Sequence, residues 1–419
     1  MPLRNGLIDS QPVSPFQSDQ LQQKKEQLMK HYKYMIIGGG LTGDAAVRGV
    51  RELDAGGSIG MLSMESDPPY MRPSLSKGLW KGRPLEMIWR KTQTLDAELH
   101  LGSKAIHLDP LEKCVRDDKG EEYSFDKILL ATGGSPNRLP FGGDHIIYYR
   151  DLQDYQRLRA LSEHGDKFVV IGGGFIGSEI AAALTIIGKK VVMIFPEETI
   201  GAAIFPNDLS YYLNEYYRQK GVELVANDVV VSVEENGSRF TARTRTGLAF
   251  DVDGVVAGIG IHANLELAKL SGLQVDNGII VDEHLQTSTV DIFAAGDVAN
   301  FFHSALGKRV RVEHEDNAIK MGKLAGRNMA GANESYTHVP LFYSDLFELG
   351  YEAVGEMNNR MEIVTDWQDS FNKGVVYYLE NGRVRGVLLW NVWKQVDNAR
   401  ALMVETGPFH ATDLKGRIS

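Results

Sequence analysis

The stretch Tyr34-Met-Ile-Ile-Gly-Gly-Gly-Leu-Thr-Gly43 decides how the chain is read. A short apolar run, Met35 to Ile37, passes straight into Gly38-x-Gly40-x-x-Gly43 and then into a helix-compatible segment from Asp44 to Asp54. Strand, glycine turn and helix in that order form the context in which such glycines hold a dinucleotide. Gly38 makes the tight turn, Gly40 lets backbone approach a pyrophosphate, and Gly43 lets the helix pack on the strand. The pyrophosphate then rests on the unpaired N–H groups at the helix start. A second apolar strand, Ser58–Ser63, leads to Glu65, roughly 20 residues past the last glycine, where a carboxylate can accept a ribose hydroxyl.

The same arrangement recurs. Lys167-Phe-Val-Val-Ile171 is a β-branched strand, Gly172-x-Gly174-x-x-Gly177 follows, and Ser178 to Gly188 reads as a helix rich in Ala and Ile. Val191–Phe195 is the next strand, with Glu197 and Glu198 just beyond it at the ribose-reading position. Between the two copies, Lys127–Ala131 is a strand that leads into Ala131-Thr-Gly-Gly134, where Gly133 permits close approach to a ligand. After the second copy come a helix from Pro206 to Lys220, short strands to Val256, and the turn Ala257-Gly-Ile-Gly260. Val290–Asp297 reads as one more buried strand ending in a carboxylate, and Val312–Ala330 as a helix stopped by Gly331. From Val339 the period shortens to two. Glu362–Thr365, Gly374–Leu379 and Val384–Trp390 suggest an antiparallel sheet, and Val392–Met403 a terminal helix.

Composition narrows the function classes. At 419 residues the chain needs two or three cores. A net charge of −10 argues against nucleic acid or an anionic membrane as the main partner. The single cysteine, Cys114, excludes an intrachain disulfide, a CxxC relay and a cysteine-based zinc site, and no metal is expected. No apolar run reaches the ~20 residues of a membrane span. The first 33 residues read as a polar tail without an apolar leader core; Pro2, Pro12, Pro15 and mixed charges speak against a mitochondrial presequence, so a cytoplasmic protein is expected.

Two dinucleotide folds without redox cysteines suit FAD in one and a nicotinamide nucleotide in the other. A nicotinamide nucleotide gives up a hydride, and a flavin accepts it and releases electrons singly or in pairs. The acidic pair Glu197 and Glu198 would repel a 2′-phosphate, and no arginine lies within several residues, which favours NADH over NADPH.

The order of motifs resembles the two-dinucleotide-binding flavoprotein reductases of the pyridine nucleotide-disulfide oxidoreductase superfamily, and within it the apoptosis-inducing-factor-like proteins and oxygenase-type ferredoxin reductases. The resemblance is carried by Pro69-Tyr-Met-Arg-Pro-Ser-Leu-Ser-Lys77, Gly172-Gly-Gly-Phe-Ile-Gly-Ser-Glu179, Phe293-Ala-Ala-Gly-Asp297, Val312-Glu-His-Glu-Asp316 and Phe342-Tyr-Ser-Asp-Leu346. It implies an α/β fold with two Rossmann-like domains, for FAD and NAD, and a C-terminal α+β domain with an antiparallel sheet. The expected division is a tail over residues 1–33, an FAD domain over 34–149 and 270–338, an NAD domain over 150–269, and a C-terminal domain over 339–419. The long insertion and nuclear-targeting segments of the apoptosis-inducing branch are not evident, so no death-signalling role carries over.

For the site, the resemblance implies that Lys77, paired with Glu179, and His314 form the catalytic group. Gly38, Gly40, Gly43, Glu65, Arg72, Lys77, Ala131, Thr132, Gly133, Asp297, Glu313, His314 and Tyr343 would bind FAD, with Arg72 against the flavin and Asp297 on the ribityl chain. Gly172, Gly174, Phe175, Ile176, Gly177, Glu179, Glu197, Gly260 and His314 would bind NAD. Phe175 is either an entrance gate or a core phenylalanine, and Tyr343 stands where the related protein has tryptophan. The reading is an FAD-dependent NADH oxidoreductase. One alternative is a reductase feeding a ferredoxin or rubredoxin. Another, of a different class, is an NADH-gated redox sensor that holds a long-lived charge-transfer complex.

Overall fold

The computed structural model describes residues 29–418, so residues 1–28 of the expected tail lie outside the described residues. The first strand, β1 (Lys30–Ile37), starts ahead of Tyr34 because Tyr32 and Tyr34 are buried in alternation with exposed His31 and Lys33. That is the period of a half-buried strand. β1 pairs in parallel with β2 (Ile59–Ser63) on one side and with Glu122–Leu130 on the other. Ala97–Leu101 extends the sheet beyond β2, and Ile292–Ala294 joins it from far along the chain.

Helix α1 (Leu41–Arg51) follows the glycine turn and packs against a late helix, Glu315–Met329. The two backbones touch. A Cβ on Gly322 would sit 2.3 Å from the Thr42 carbonyl oxygen, one on Gly326 2.0 Å from that of Ala46, and one on Gly49 2.0 Å from that of Lys323. The late helix begins at Glu315 rather than Val312, because His314 is extended (φ −111°, ψ 147°) and serves as its N-cap.

The second unit repeats the design: β3 (Lys167–Ile171), α2 (Phe175–Ile186) and β4 (Lys190–Ile194). Its parallel sheet runs Val222–Val225, β4, β3, Gly254–Ala257, Ile146–Tyr148. The strand Ile146–Tyr148, which the 34–149 boundary gave to the first unit, is therefore an edge of the second sheet. Likewise Leu265, Leu267 and Ala268 pack in the first unit's core, so the chain returns there before residue 270. Both crossings lie in short connections without a composition change, which is why they were not legible.

The C-terminal part is a five-stranded antiparallel sheet in the order Leu341–Leu346, Leu349–Gly355, Arg383–Trp390, Lys373–Glu380, Glu362–Asp369. Its helix spans Val396–Val404, shorter than Val392–Met403, because Asn391 and Lys394 have φ of +50° and +64°. Left-handed residues cannot continue a right-handed helix. One core joins all three parts: Leu75 and Trp80 from the first, Phe168 and Leu184 from the second, Tyr351 and Trp390 from the third. Burying each side chain of this size contributes roughly 1.5–3 kcal/mol, so the parts are docked rather than strung together. Among the described residues no helix is long and apolar enough to cross a membrane.

Candidate functional site

Both glycine turns are tight where covalent geometry requires it and open where a ligand would come. At Gly38 (φ +127°) a Cβ would lie 2.0 Å from the Ala131 carbonyl oxygen, and at Gly43 2.1 Å from that of Gly38. At Gly172 (φ +113°) it would lie 2.4 Å from the Gly258 carbonyl, and at Gly177 2.0 Å from that of Gly172. Gly40 and Gly174, each the N-cap of its helix, have nothing within 4 Å. Free space in front of unpaired helix N–H groups, at both turns, is what a dinucleotide phosphate needs, so the chain fits FAD and NAD(H).

Around the first turn, the segment Ala131–Gly133 is clamped by Asn264. Thr132 Oγ1 donates to the Asn264 carbonyl at 2.8 Å, and Asn264 Nδ2 donates back to the Thr132 carbonyl at 2.9 Å. Asp44 is fully buried and accepts from Arg90 Nε at 2.7 Å, Thr92 Oγ1 at 2.8 Å and Arg48 Nε at 3.0 Å. Glu65 accepts from Tyr70 at 2.6 Å and Arg72 Nη2 at 2.5 Å, while Arg72 Nη1 holds the Arg150 carbonyl at 2.8 Å. Arg72 thus ties the acid at the end of β2 to the Arg150 carbonyl. Asp297 Oδ2 accepts from Arg150 Nη2 at 3.1 Å, and Arg311 Nη1 donates to the Asp297 carbonyl at 3.0 Å. Glu313 is exposed and paired with that same Arg311.

Where the three parts meet stands a buried charge pair. Lys77 Nζ lies 2.7 Å from Glu179 Oε1, and only 13% and 2% of the two side chains is exposed. Glu179 sits on the first turns of α2, a helix otherwise made of apolar and small residues. A carboxylate there is tolerable because it is fully engaged. Ser76 Oγ donates to Oε2 at 2.5 Å and Ser344 Oγ to Oε1 at 2.6 Å. The Lys77 ammonium also lies 5.0 Å from the centre of the Tyr343 ring, a cation–π distance. The Tyr343 hydroxyl donates to Glu315 Oε2 at 2.8 Å, and burial, followed by that carboxylate, holds its pKa well above the ordinary phenol value.

Beside the pair is an aromatic group. Phe175 is 41% exposed, which settles it as a surface residue rather than core, and meets Phe342 edge to face at 5.6 Å. Phe342 lies 4.3 Å from the His314 ring. Ile176 is also exposed, and Gly260 (φ +85°) turns the chain beside Asn137. Behind Phe175 a cleft of about 230 Å³ runs over Gly173 and Gly174, bounded by Glu197, the 199–205 loop, Ser344 and Tyr351. Sequence reasoning missed Ser76, Phe342, Ser344, Glu315, Asn264 and Arg150. For Phe342 and Ser344 the signal was the period-two alternation on either side of Tyr343.

His314 Nδ1 is buried without a partner, and desolvation pushes its pKa down to about 4. Burial does the same to His303, also to about 4. Both imidazoles are neutral in the folded protein at pH 7, whereas the unfolded chain binds those protons near pH 6.5. Stability is therefore full above about pH 6.5 and is lost progressively as pH falls towards 4. The melting temperature is expected to drop across that window, and His303→Asn or His314→Asn to flatten the drop; an unchanged slope in both variants would contradict the assignment.

Residues 32–322 match the pyridine nucleotide-disulphide oxidoreductase family. The chain belongs to that family. In addition, residues 325–368 and 356–405 match the C-terminal, mitochondrion-associated part of apoptosis-inducing factor. This oxidoreductase is 32% identical to apoptosis-inducing factor 1, mitochondrial, of Dictyostelium discoideum, over 94% of its own length and 82% of the relative's. It is 31% identical to the 5,5'-dehydrodivanillate O-demethylase ferredoxin reductase subunit of a Sphingobium species, over 90% and 94%. Among solved structures it superimposes on the covalent putidaredoxin reductase–putidaredoxin complex with a TM-score of 0.85 and 27% identity, covering 91% of this chain and 95% of that one. The oxidoreductase is thus an FAD-dependent pyridine nucleotide oxidoreductase of the apoptosis-inducing-factor-like or ferredoxin-reductase type, with FAD and NADH as its cofactors.

Proposed function

We propose that the protein oxidises NADH through bound FAD and delivers the electrons to a separate acceptor. The observation that carries this reading is the buried Lys77–Glu179 pair, its carboxylate on the helix that follows the second open glycine turn and tied by Ser344 to the strand whose Phe342 meets Phe175 and His314. FAD supplies a ring that takes up a hydride and gives up electrons singly or in pairs.

Gly38, Gly40, Gly43, Glu65, the 131–133 turn and Asp297 would hold FAD, and Gly172, Gly174, Gly177 and Glu197 would hold NADH. Lys77, fixed by Glu179, presents a positive charge where negative charge grows during the transfer. Phe175, exposed on the cleft lining, would cover the entrance to the nicotinamide's place. The neutral His314, with Phe342 packed on it, keeps water from the same place. No side chain moves a proton in this step; the residues position and exclude.

Anaerobic addition of NADH to the yellow protein is expected to bleach its visible band. A colourless preparation, or a band untouched by NADH, would overturn the proposal. NADH is preferred over NADPH because Glu197 and Glu198 stand exposed past β4, with Glu197 on the cleft wall. Glu197→Ala combined with Glu198→Arg is expected to raise the NADPH-to-NADH ratio of kcat/KM by about tenfold, the scale of one charge-assisted contact. An unmoved ratio would show that these acids do not read the ribose.

The identity and overlap with a ferredoxin reductase subunit, and the likeness to a reductase bound to putidaredoxin, favour a small iron–sulfur protein as acceptor. Ferredoxin or rubredoxin should then accelerate NADH turnover far beyond oxygen. If neither restores the yellow colour within minutes, a sensing role takes the place of turnover.

A further inference from the structure

The strand Leu341–Leu346 alternates across the site. Phe342, Ser344 and Leu346 point one way, towards His314, Glu179 and the cleft, while Tyr343 and Asp345 point the other, towards Lys77 and Lys81. A strand has a residue period of two, so this division follows from its pleat. Ser344 is itself buried (1% exposed), and its hydroxyl is spent on the same Glu179 oxygen that holds Lys77.

We propose that Ser344 is a positioning residue for the hydride step, acting from the C-terminal sheet through Glu179 on Lys77; this rests on the proposed role of that pair. Oε1 of Glu179 has two donors, the ammonium at 2.7 Å and the Ser344 hydroxyl at 2.6 Å, and Oε2 has Ser76 at 2.5 Å. With both serines in place the carboxylate is held on two sides and cannot rotate to embrace Lys77 with both oxygens. The ammonium is thereby kept at one contact, with hydrogens left to point outward into the site. Take the Ser344 hydroxyl away, and Oε1 turns more strongly on Lys77, drawing its charge back from the reacting end. The C-terminal sheet, remote in sequence from both nucleotide folds, thus sets how much of the Lys77 field reaches the flavin.

The test compares Ser344→Ala with wild type, Ser344→Thr and Lys77→Ala, all as FAD-loaded protein. At saturating NADH, Ser344→Ala is expected to slow flavin bleaching about fivefold to tenfold, the scale of one ordinary hydrogen bond. The flavin midpoint potential should move negative, because less positive charge stabilises the reduced ring, and Ser344→Thr should recover both quantities. A wild-type rate and potential in Ser344→Ala, with Lys77→Ala slow, would overturn this inference and leave the proposed function standing. Wild-type rates in both variants would remove the role of the Lys77–Glu179 pair itself, and this inference with it. Should Ser344→Ala fail to keep FAD, Ser344→Cys, with similar volume and a weak donor, is judged by the same two readouts.

Discussion

Replacing Lys77 by alanine is expected to slow flavin bleaching by NADH about a hundredfold while FAD remains bound, and Glu179→Ala to slow it by a similar factor. The size follows from what each change leaves behind. Removing a preorganised electrostatic contact to developing charge costs about 10²–10³ in rate. Lys77→Ala also strands a carboxylate that is 2% exposed, with only the Ser76 and Ser344 hydroxyls to hold it. A broken buried pair costs about 3–5 kcal/mol of stability, so both single variants should melt earlier than wild type. The double variant should be less impaired than the sum of the singles, because the groups act together. Stopped-flow mixing without oxygen gives the rate, and the absorbance ratio gives FAD content. Wild-type rates in both single variants would remove the pair from the mechanism.

The second large effect is structural. Gly326→Ala is expected to destabilise the protein by more than the about 1–3 kcal/mol usual for an added core methyl group, and to release FAD. Its Cβ would lie 2.0 Å from the Ala46 carbonyl oxygen, so the obstacle is backbone of α1 and no side chain can turn aside. Relief requires the two helices to separate. α1 begins at the first glycine turn, and the late helix begins beside His314, so separation moves the cradle and the pair's neighbours together. Lys320→Ala, on the exposed face of the same helix, is the control and should leave melting and FAD content as they were. A Gly326→Ala protein that melts normally and stays yellow would show the crossing to be slack.

Much of this fold was legible because its decisive residues act locally. Gly38, Gly43, Gly172 and Gly177 are required by turns formed within a few residues, and the strands beside them are plain β-branched runs. Lys77 and Glu179 were legible only through the resemblance of their flanking motifs, since nothing in either segment alone says that they meet. Ser344 lay beyond reach for a related reason. A serine on a strand is chemically quiet until its partner is known, and that partner stands 165 residues away. The close helix crossing was hidden too, because Gly322 and Gly326 inside a helix read as weak spots until α1 is laid against them. The domain edges failed where the chain passes between sheets on short strands such as Ile146–Tyr148, too brief to carry a pattern.

The strand Leu341–Leu346 has no idle side. A ribbon with one face in water tolerates drift, but here a slip by one position would swing a tyrosine into the slot of a hydroxyl and a hydroxyl under an ammonium. Transplanting this terminal module onto another reductase would therefore require agreement on two fronts at once, which makes it a fitted part of the machine and not an interchangeable cap.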